Sequence, residues 1–249
     1  MVGRWWAVLL VVAVGCGGSD LTPAAPPTAT AANRCPDWVN QPSGGVTWEP
    51  HSEADEIQTF TGQVPGSDFV AFKGAGPIDA PIAKVANVLI DTPRHGEWVP
   101  SFGGMRIVRD LSENEKVIYR HVLTPFVIDD RDFVVKVLVH EDEAYGHLLF
   151  DFSSVEDPDA PVIDGKVRGM LHSSGYRMWP IEGGARTMVI FTIHADPKGD
   201  VPAWIVNLFQ NGYARTNLEN IRAQAAKADV AAHPRIQEEF RDFTPKCDD

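Results

Sequence analysis

Two carboxylate clusters are the first places to look for chemistry in this 249-residue chain. Asp129, Asp130 and Asp132 crowd around Arg131, and Glu141, Asp142 and Glu143 are consecutive. Such groups can hold calcium or move a proton, but neither cluster has the glycine-containing ligand spacing of a calcium loop. Both read as solvated turns, the first with an ion pair at a strand end. The 8 histidines are scattered, and none pairs at i, i+4 on an expected helix. His-Glu-x-x-His, Gly-x-Ser-x-Gly, P-loop and Gly-x-Gly-x-x-Gly patterns are all missing from the sequence. The 3 cysteines form no Cys-x-x-Cys, which leaves a redox motif or a structural zinc site without support. No metal is expected.

The elements that would position these residues follow from hydrophobic period and turn chemistry. Residues 37–50 read as irregular or a short helix. Strands are expected over 56–64 and 69–76, with Pro65-Gly66 turning between them. Ile82, Val85, Val88 and Leu89 fall at helical spacing after Pro81, so a helix runs to Pro93, and a second helical turn carries His95 to Trp98. Strands over 105–111, 116–123, 132–140 and 147–153 are joined by short polar turns, the pattern of an antiparallel meander. Strands over 166–178 and 186–195 follow, then a helix over 202–228, long enough to cross an entire sheet. Ile205, Leu208, Phe209 and Gly212 share one side near its start, and Leu218, Ile221 and Ala225 continue the stripe.

Composition excludes further classes. Apolar residues make up 44% and charged residues 22% of the chain, close to the globular average. A net charge of −12 without a basic cluster is a poor match to a phosphate backbone, so nucleic acid is not an expected partner. Arg4 precedes an apolar run from Trp5 to Val14 that is too short to span a bilayer, which needs about 20 residues. Ala13-Val14-Gly15-Cys16 resembles the lipobox of bacterial lipoproteins, which implies cleavage before Cys16 and lipidation of its thiol. Residues 1–15 are then a signal peptide and 16–34 a lipidated cysteine with a flexible Gly/Ala/Pro/Thr tether. Residues 35–249 form one domain. Export to an oxidising compartment suggests a disulfide between Cys35 and Cys247 at the domain's two ends, although sequence alone leaves two separate thiols open. The expected protein is a periplasmic, membrane-anchored, monomeric lipoprotein of a bacterium.

The strands carry one solvated and one apolar face each. Lys116 and Arg120 are assigned to the outer face, with Val117, Tyr119, His121 and Leu123 inward. On the next strand Asp132, Lys136 and His140 oppose Phe133, Val135, Val137 and Val139. A curved sheet of this kind under a long helix either packs solid or encloses a cavity. The loop Thr124-Pro125-Phe126-Val127-Ile128-Asp129-Asp130 carries three consecutive large apolar residues, which suits a lid or a membrane contact.

Several stretches, in order, resemble the START (steroidogenic-acute-regulatory-related lipid-transfer) domain family. They are Trp98, Val117-Ile118-Tyr119-Arg120-His121-Val122, Asp130-Arg131-Asp132-Phe133-Val134, Val167-Arg168-Gly169 and the run from Asp196 to Asn207. The resemblance implies an α+β helix-grip fold, in which a curved antiparallel sheet of about nine strands wraps a long C-terminal helix around a hydrophobic cavity. It also implies one bound lipid, no cofactor and no catalytic residue. The buried Glu and Arg of some sterol-transferring members correspond here to His121 and Val137, which makes the tunnel more apolar and favours a weakly polar ligand such as a sterol. His121 becomes the candidate polar handle, with His95 near another lining position. The expected lining is His95, Trp98, Ile107, Tyr119, His121, Phe126, Ile128, Phe133, Val135, Val137, Phe150, Leu171, Phe191, Ile205, Leu208, Phe209 and Gly212. A sterol-type lipid carried between membranes is the function this implies. A lipid sensor without transfer, or a cyclase-like enzyme on the same fold, are the alternatives.

Overall fold

A computed structural model of the chain describes residues 37–40, 45–124, 128–142, 144–199 and 212–243. Cys16, Cys35 and Cys247, the signal and tether, and most of the apolar loop lie outside the described residues. The first strand, β1 (Thr47–Ala54), occupies sequence expected to be irregular. Seven of its eight residues are exposed and Pro50 interrupts it, so neither alternation nor propensity marks it. Its place explains both features: β1 is the edge of the sheet, where proline removes no needed hydrogen bond, and its register slips between Pro50 and Ser52. Asp55 and Glu56, at φ 52° and 59°, make the two-residue turn into β2 (Ile57–Gln63).

β3 (Ala71–Ile78) leads to α1 (Ile82–Ile90), whose Ile82, Val85 and Val88 are buried as the helical spacing requires. A 3-10 helix, Thr92–Glu97, supplies the expected extra turn. The meander follows as β4 (Phe102–Asp110), β5 (Glu115–Val122), β6 (Asp130–Asp142) and β7 (His147–Ser154). The strand expected over 166–178 is three pieces: β8 (Lys166–Arg168), β9 (Met170–Leu171) and β10 (Ser174–Ile181). Likewise 186–195 divides into β11 (Arg186–Ile193) and β12 (Ala195–Asp196). Here the chain leaves the main sheet, because β9 and β12 pair with each other and β8 runs parallel to the start of β6. α2 (Tyr213–Ala226) falls within the helix expected over 202–228 but opens only after Gly212, whose φ of 147° is not helical, so no single helix runs unbroken through that residue; residues 202–211 lie outside the described part. Pro234 opens a further short helix, α3 (Pro234–Glu239), with the proline in its first turn, where no intrahelical N–H is needed.

Among the described residues the main sheet runs β1-β2-β3-β11-β10-β7-β6-β5-β4, nine strands paired antiparallel with distinct ends and not closed into a barrel. α2 lies on β2, β3 and β11, and α1 packs against both α2 and α3. A Cβ on Gly74 would stand 3.0 Å from the Ala214 carbonyl oxygen, so the helix comes this close because β3 has no side chain there. Met178, Val189, Leu218 and Ile221 fill the core between sheet and helices. The opposite face is also covered at both ends. Trp48, Phe60 and Ile190 pack at one end, while Val117, Tyr119, Val134 and Ala160 pack at the other. Lys73, 1% exposed, passes through the first of these clusters. Its Nζ donates to the Val39 carbonyl and lies 4.6 Å from the ring centres of both Trp48 and Phe60, and burial lowers its pKa to about 8.

Candidate functional site

Between the curved half of the sheet and the helices lies a cavity of ≈ 590 Å³. Its floor is the inward face of the meander: Met105 and Ile107 of β4, Ile118, Arg120 and Val122 of β5, and Phe133, Val135, Val137 and Val139 of β6. β7 and β10 add Phe150, Phe152 and Tyr176, and β11 adds Phe191 and Ile193. The roof is the start of α2, with Gly212, Tyr213, Thr216 and Asn217; the 3-10 helix adds His95, and Trp98 and Val99 follow it. Period-2 alternation puts these side chains on one face because odd-numbered residues of β6 oppose even-numbered residues of β5, with Ile118 opposite Val135 and Arg120 opposite Phe133.

That register corrects the expected face of β5. Tyr119 and His121 point away from the cavity. Tyr119 packs with Val117 and Val134 in the outer cluster, under the Arg106 guanidinium at 5.4 Å. His121 stands between acceptors, with Nε2 2.7 Å from Asp130 Oδ2 and Nδ1 3.2 Å from the Gly103 carbonyl, so it serves as a strut rather than as the cavity's polar handle. Arg120 and Lys116, assigned to solvent from their charge, border the cavity instead. Ile128 does not border it; the Ile128 carbonyl accepts the Thr124 hydroxyl at 3.0 Å inside its own loop. Phe126, Ile205, Leu208 and Phe209 lie outside the described residues. His95, Trp98, Ile107, Phe133, Val135, Val137, Phe150, Leu171, Phe191 and Gly212 do line the cavity.

The carboxylates around Arg131 divide their work differently from the single strand-end pair expected. Asp132 is fully buried and pairs with Arg168, Asp130 takes His121, and Arg131 donates to the carbonyls of Asp129, Pro197 and Lys198.

A few polar groups break the apolar wall. The Tyr176 hydroxyl donates to Asn217 Oδ1 at 2.9 Å, fastening the roof to the floor, and burial pushes its pKa up. His95 Nε2 donates to the Leu89 carbonyl at 3.0 Å, which leaves Nδ1 as a bare acceptor without a partner. Burial, and then the nearby Arg120 charge, lower the His95 pKa to about 4, so the ring is neutral. Trp98 Nε1 is a buried donor that is likewise unpartnered. The 3-10 helix is held against α2 by Asn220, whose amide donates to the Trp98 carbonyl at 2.7 Å, and by Glu97, which takes Arg94, Gln224 and Lys227. Those three donors hold the Glu97 carboxyl well below the ordinary carboxylate range. Neither a group of metal-binding side chains nor a nucleophile–base pair occurs at this site among the described residues. What the geometry offers is a desolvated, oriented compartment.

The family model described as START domain matches residues 28–223. The chain belongs to that family. Among solved structures, human StAR-related lipid transfer protein 5 superposes with a TM-score of 0.66 at 21% identity, covering 72% of this chain and 86% of that one. A STAR-related lipid transfer protein from the bacterium Xanthomonas axonopodis gives a TM-score of 0.64 at 22% identity, covering 72% and 99%. An uncharacterized protein of Pseudomonas aeruginosa is 23% identical over 181 residues, 72% of this chain and 87% of that protein. At these identities the likeness carries the START fold and leaves residue roles to be argued from this chain. The sequence signals that found the START domain were runs shared by both faces of a strand. They identified β5 and β6 without saying which side chains of β5 turn inward, so Ile118, Arg120 and Val122 were missed. Cross-strand parity with β6 is the signal that would have found them.

Proposed function

We propose that this START domain binds one hydrophobic lipid in the cavity and carries it between membranes of a bacterial periplasm. The observation that carries the proposal is the cavity itself, with Val, Ile and Phe from β4 to β11 and space for a single ligand. Burying about 300 Å² of apolar ligand surface at about 25 cal/mol/Å² is worth roughly 7 kcal/mol before ordering costs. Related proteins of the same fold bear the description of lipid transfer proteins, in a human and in a bacterial case. Lipidation at Cys16 and the tether over 16–34 would keep the carrier at its donor membrane, and the apolar loop 124–130 would touch the bilayer. A sterol was expected from a tunnel without charge; Arg120 in the wall removes that premise, and a sterol stays as one probe among several.

Native mass spectrometry of the purified protein after incubation with a total lipid extract tests the binding. The expected result is a one-to-one complex whose lipid mass survives desalting and is lost in Ile118→Trp, which fills the cavity floor without touching the outer face. Failure of sterols, phospholipids and fatty acids alike to bind would overturn the proposal. Transfer is a separate measurement. Between donor and acceptor liposomes, replacing Phe126 and Ile128 by Asp is expected to slow exchange several-fold while leaving the bound lipid in place. Unchanged exchange by that variant would remove the loop from the mechanism, and binding without any exchange would make the protein a lipid sensor.

A further inference from the structure

Every arginine among the described residues except Arg120 has an acceptor for its guanidinium. Arg94, Arg109, Arg168, Arg177, Arg186, Arg235 and Arg241 reach carboxylates, and Arg106, Arg131, Arg215 and Arg222 reach backbone carbonyls. Arg120 forms neither an ion pair nor a hydrogen bond among the described residues, although it stands in a largely apolar cavity wall. Its neighbours across the strands are Met105 and Phe133, and Ile118 and Val122 flank it on the same face. A guanidinium so placed loses hydration without gaining a counter-charge, which is costly unless something supplies one.

Other groups in the same cavity await a partner. Trp98, 7% exposed, has its Nε1 donor unmatched. Asn217 spends Oδ1 on the Tyr176 hydroxyl, which leaves its NH₂ for an acceptor. All of these groups line the same cavity as Arg120, whose charge is felt both at His95, with its ring 5.4 Å from Trp98, and at Tyr176. Two donor groups, on Trp98 and Asn217, and one unpaired cation in an apolar chamber describe a receptor for oxygens that carry negative charge. The planar fork of arginine matches a carboxylate or a phosphate in two parallel bonds.

We propose that the cavity takes a lipid with an anionic head, a carboxylate or a phosphate, held on Arg120 with its hydrocarbon along the Val and Phe floor. The inference rests on the lipid-binding proposal above and narrows it to a ligand class. The chain's net charge of −12 repels anions at long range, so selection for the head must be local, at this one cation.

Palmitate, hexadecyl phosphate and hexadecanol share one chain and differ only in the head. Their affinities for the delipidated protein can be read from tryptophan fluorescence, with Trp98 in the wall as reporter. The expected result is at least tenfold tighter binding of one anionic ligand than of hexadecanol, and the tighter of palmitate and hexadecyl phosphate identifies the head. In Arg120→Gln that ratio falls to near one, while Arg120→Lys keeps part of it. Equal binding of the three ligands by the wild-type protein would overturn the inference without needing any variant, as would an anionic preference that persists in Arg120→Gln. In either case the lipid-binding proposal would stand. Failure of all three ligands and of cholesterol to bind would overturn both.

Discussion

Replacing Asp132 by Ala is expected to cost about 3–5 kcal/mol of stability, the ordinary price of leaving one member of a buried ion pair without the other. Asp132 is 0% exposed, and Arg168 meets it with Nε on Oδ1 at 2.6 Å and Nη2 on Oδ2 at 3.2 Å. The pair joins β8 to the start of β6, where β7 no longer covers the sheet, and the Asp132 carbonyl also accepts the Gly169 amide at 2.9 Å. Without the carboxylate, Arg168 keeps only the carbonyls of Ala160 and Pro161, and the connection that leads through β9 to the cavity's Leu171 loses its anchor. In a domain of this size the loss corresponds to a fall in Tm of roughly 6–20 °C. Arg168→Leu should be at least as damaging, because it strands the fully buried carboxylate, whereas Arg168 left alone is 24% exposed. The double variant Asp132→Leu/Arg168→Leu should recover much of the loss, since two apolar groups leave no charge uncompensated. Thermal melts of the four proteins decide this, and a drop below 2 °C for Asp132→Ala would show that the pair does not hold β8.

Much of the fold was readable where one physical signal dominated. The face of α1 follows from Ile82, Val85 and Val88, and the meander from alternating strands with short polar turns. Reading failed where two signals competed. β1 has no apolar alternation because its partners cover only one edge, and Pro50 speaks against a strand everywhere except at such an edge. On β5 both faces bear apolar residues, since Val117 and Tyr119 are covered by Val134 and Ala160 while Ile118 and Val122 face the cavity. Charge was therefore allowed to choose the outer face, and Arg120 was sent to solvent. Parity with β6 would have decided it, but parity is fixed by the connection between the strands. A two-residue turn sets register; the longer segment from Leu123 to Asp129 does not. The same slip made His121 a cavity residue and hid Arg120 in the wall.

Acid is expected to destabilise this domain before its carboxylates titrate. His95 and His147 are buried, and burial lowers the pKa of each from about 6.5 to about 4; the charges of Arg120 and Arg177, respectively, add to the effect. Geometry requires both to be neutral. His95 Nε2 carries the hydrogen donated to the Leu89 carbonyl, and its Nδ1 meets no acceptor that could take a second one. His147 Nδ1 lies 3.1 Å from Arg177 Nη1, which donates to it, while the ring stacks on Trp179 at 4.4 Å. Protonating that nitrogen would break the bond and set two cations against each other, with Asp142 only partly compensating. A folded-state pKa below the unfolded value means that the unfolded chain binds the proton first. The stabilisation is complete above pH 6.5 and is lost as pH falls toward 4, by about 2 kcal/mol per histidine between pH 7 and pH 4.5. The carboxylates that the fold holds low, among them Asp130, Asp142 and Asp196, contribute in a lower window, as pH falls through and below the ordinary carboxylate value. Denaturant unfolding of the wild type at pH 7 and pH 4.5 measures the loss, and His95→Phe/His147→Phe separates its source. The double variant should lose about 4 kcal/mol less than the wild type between the two pH values, keeping a smaller slope from His194, whose pKa burial and His172 also lower. If the double variant loses as much as the wild type, these two rings are not what acid attacks. If only His95→Phe flattens the slope, the titrating wall is the one shared with Arg120, and acid would open the cavity ahead of the rest of the domain.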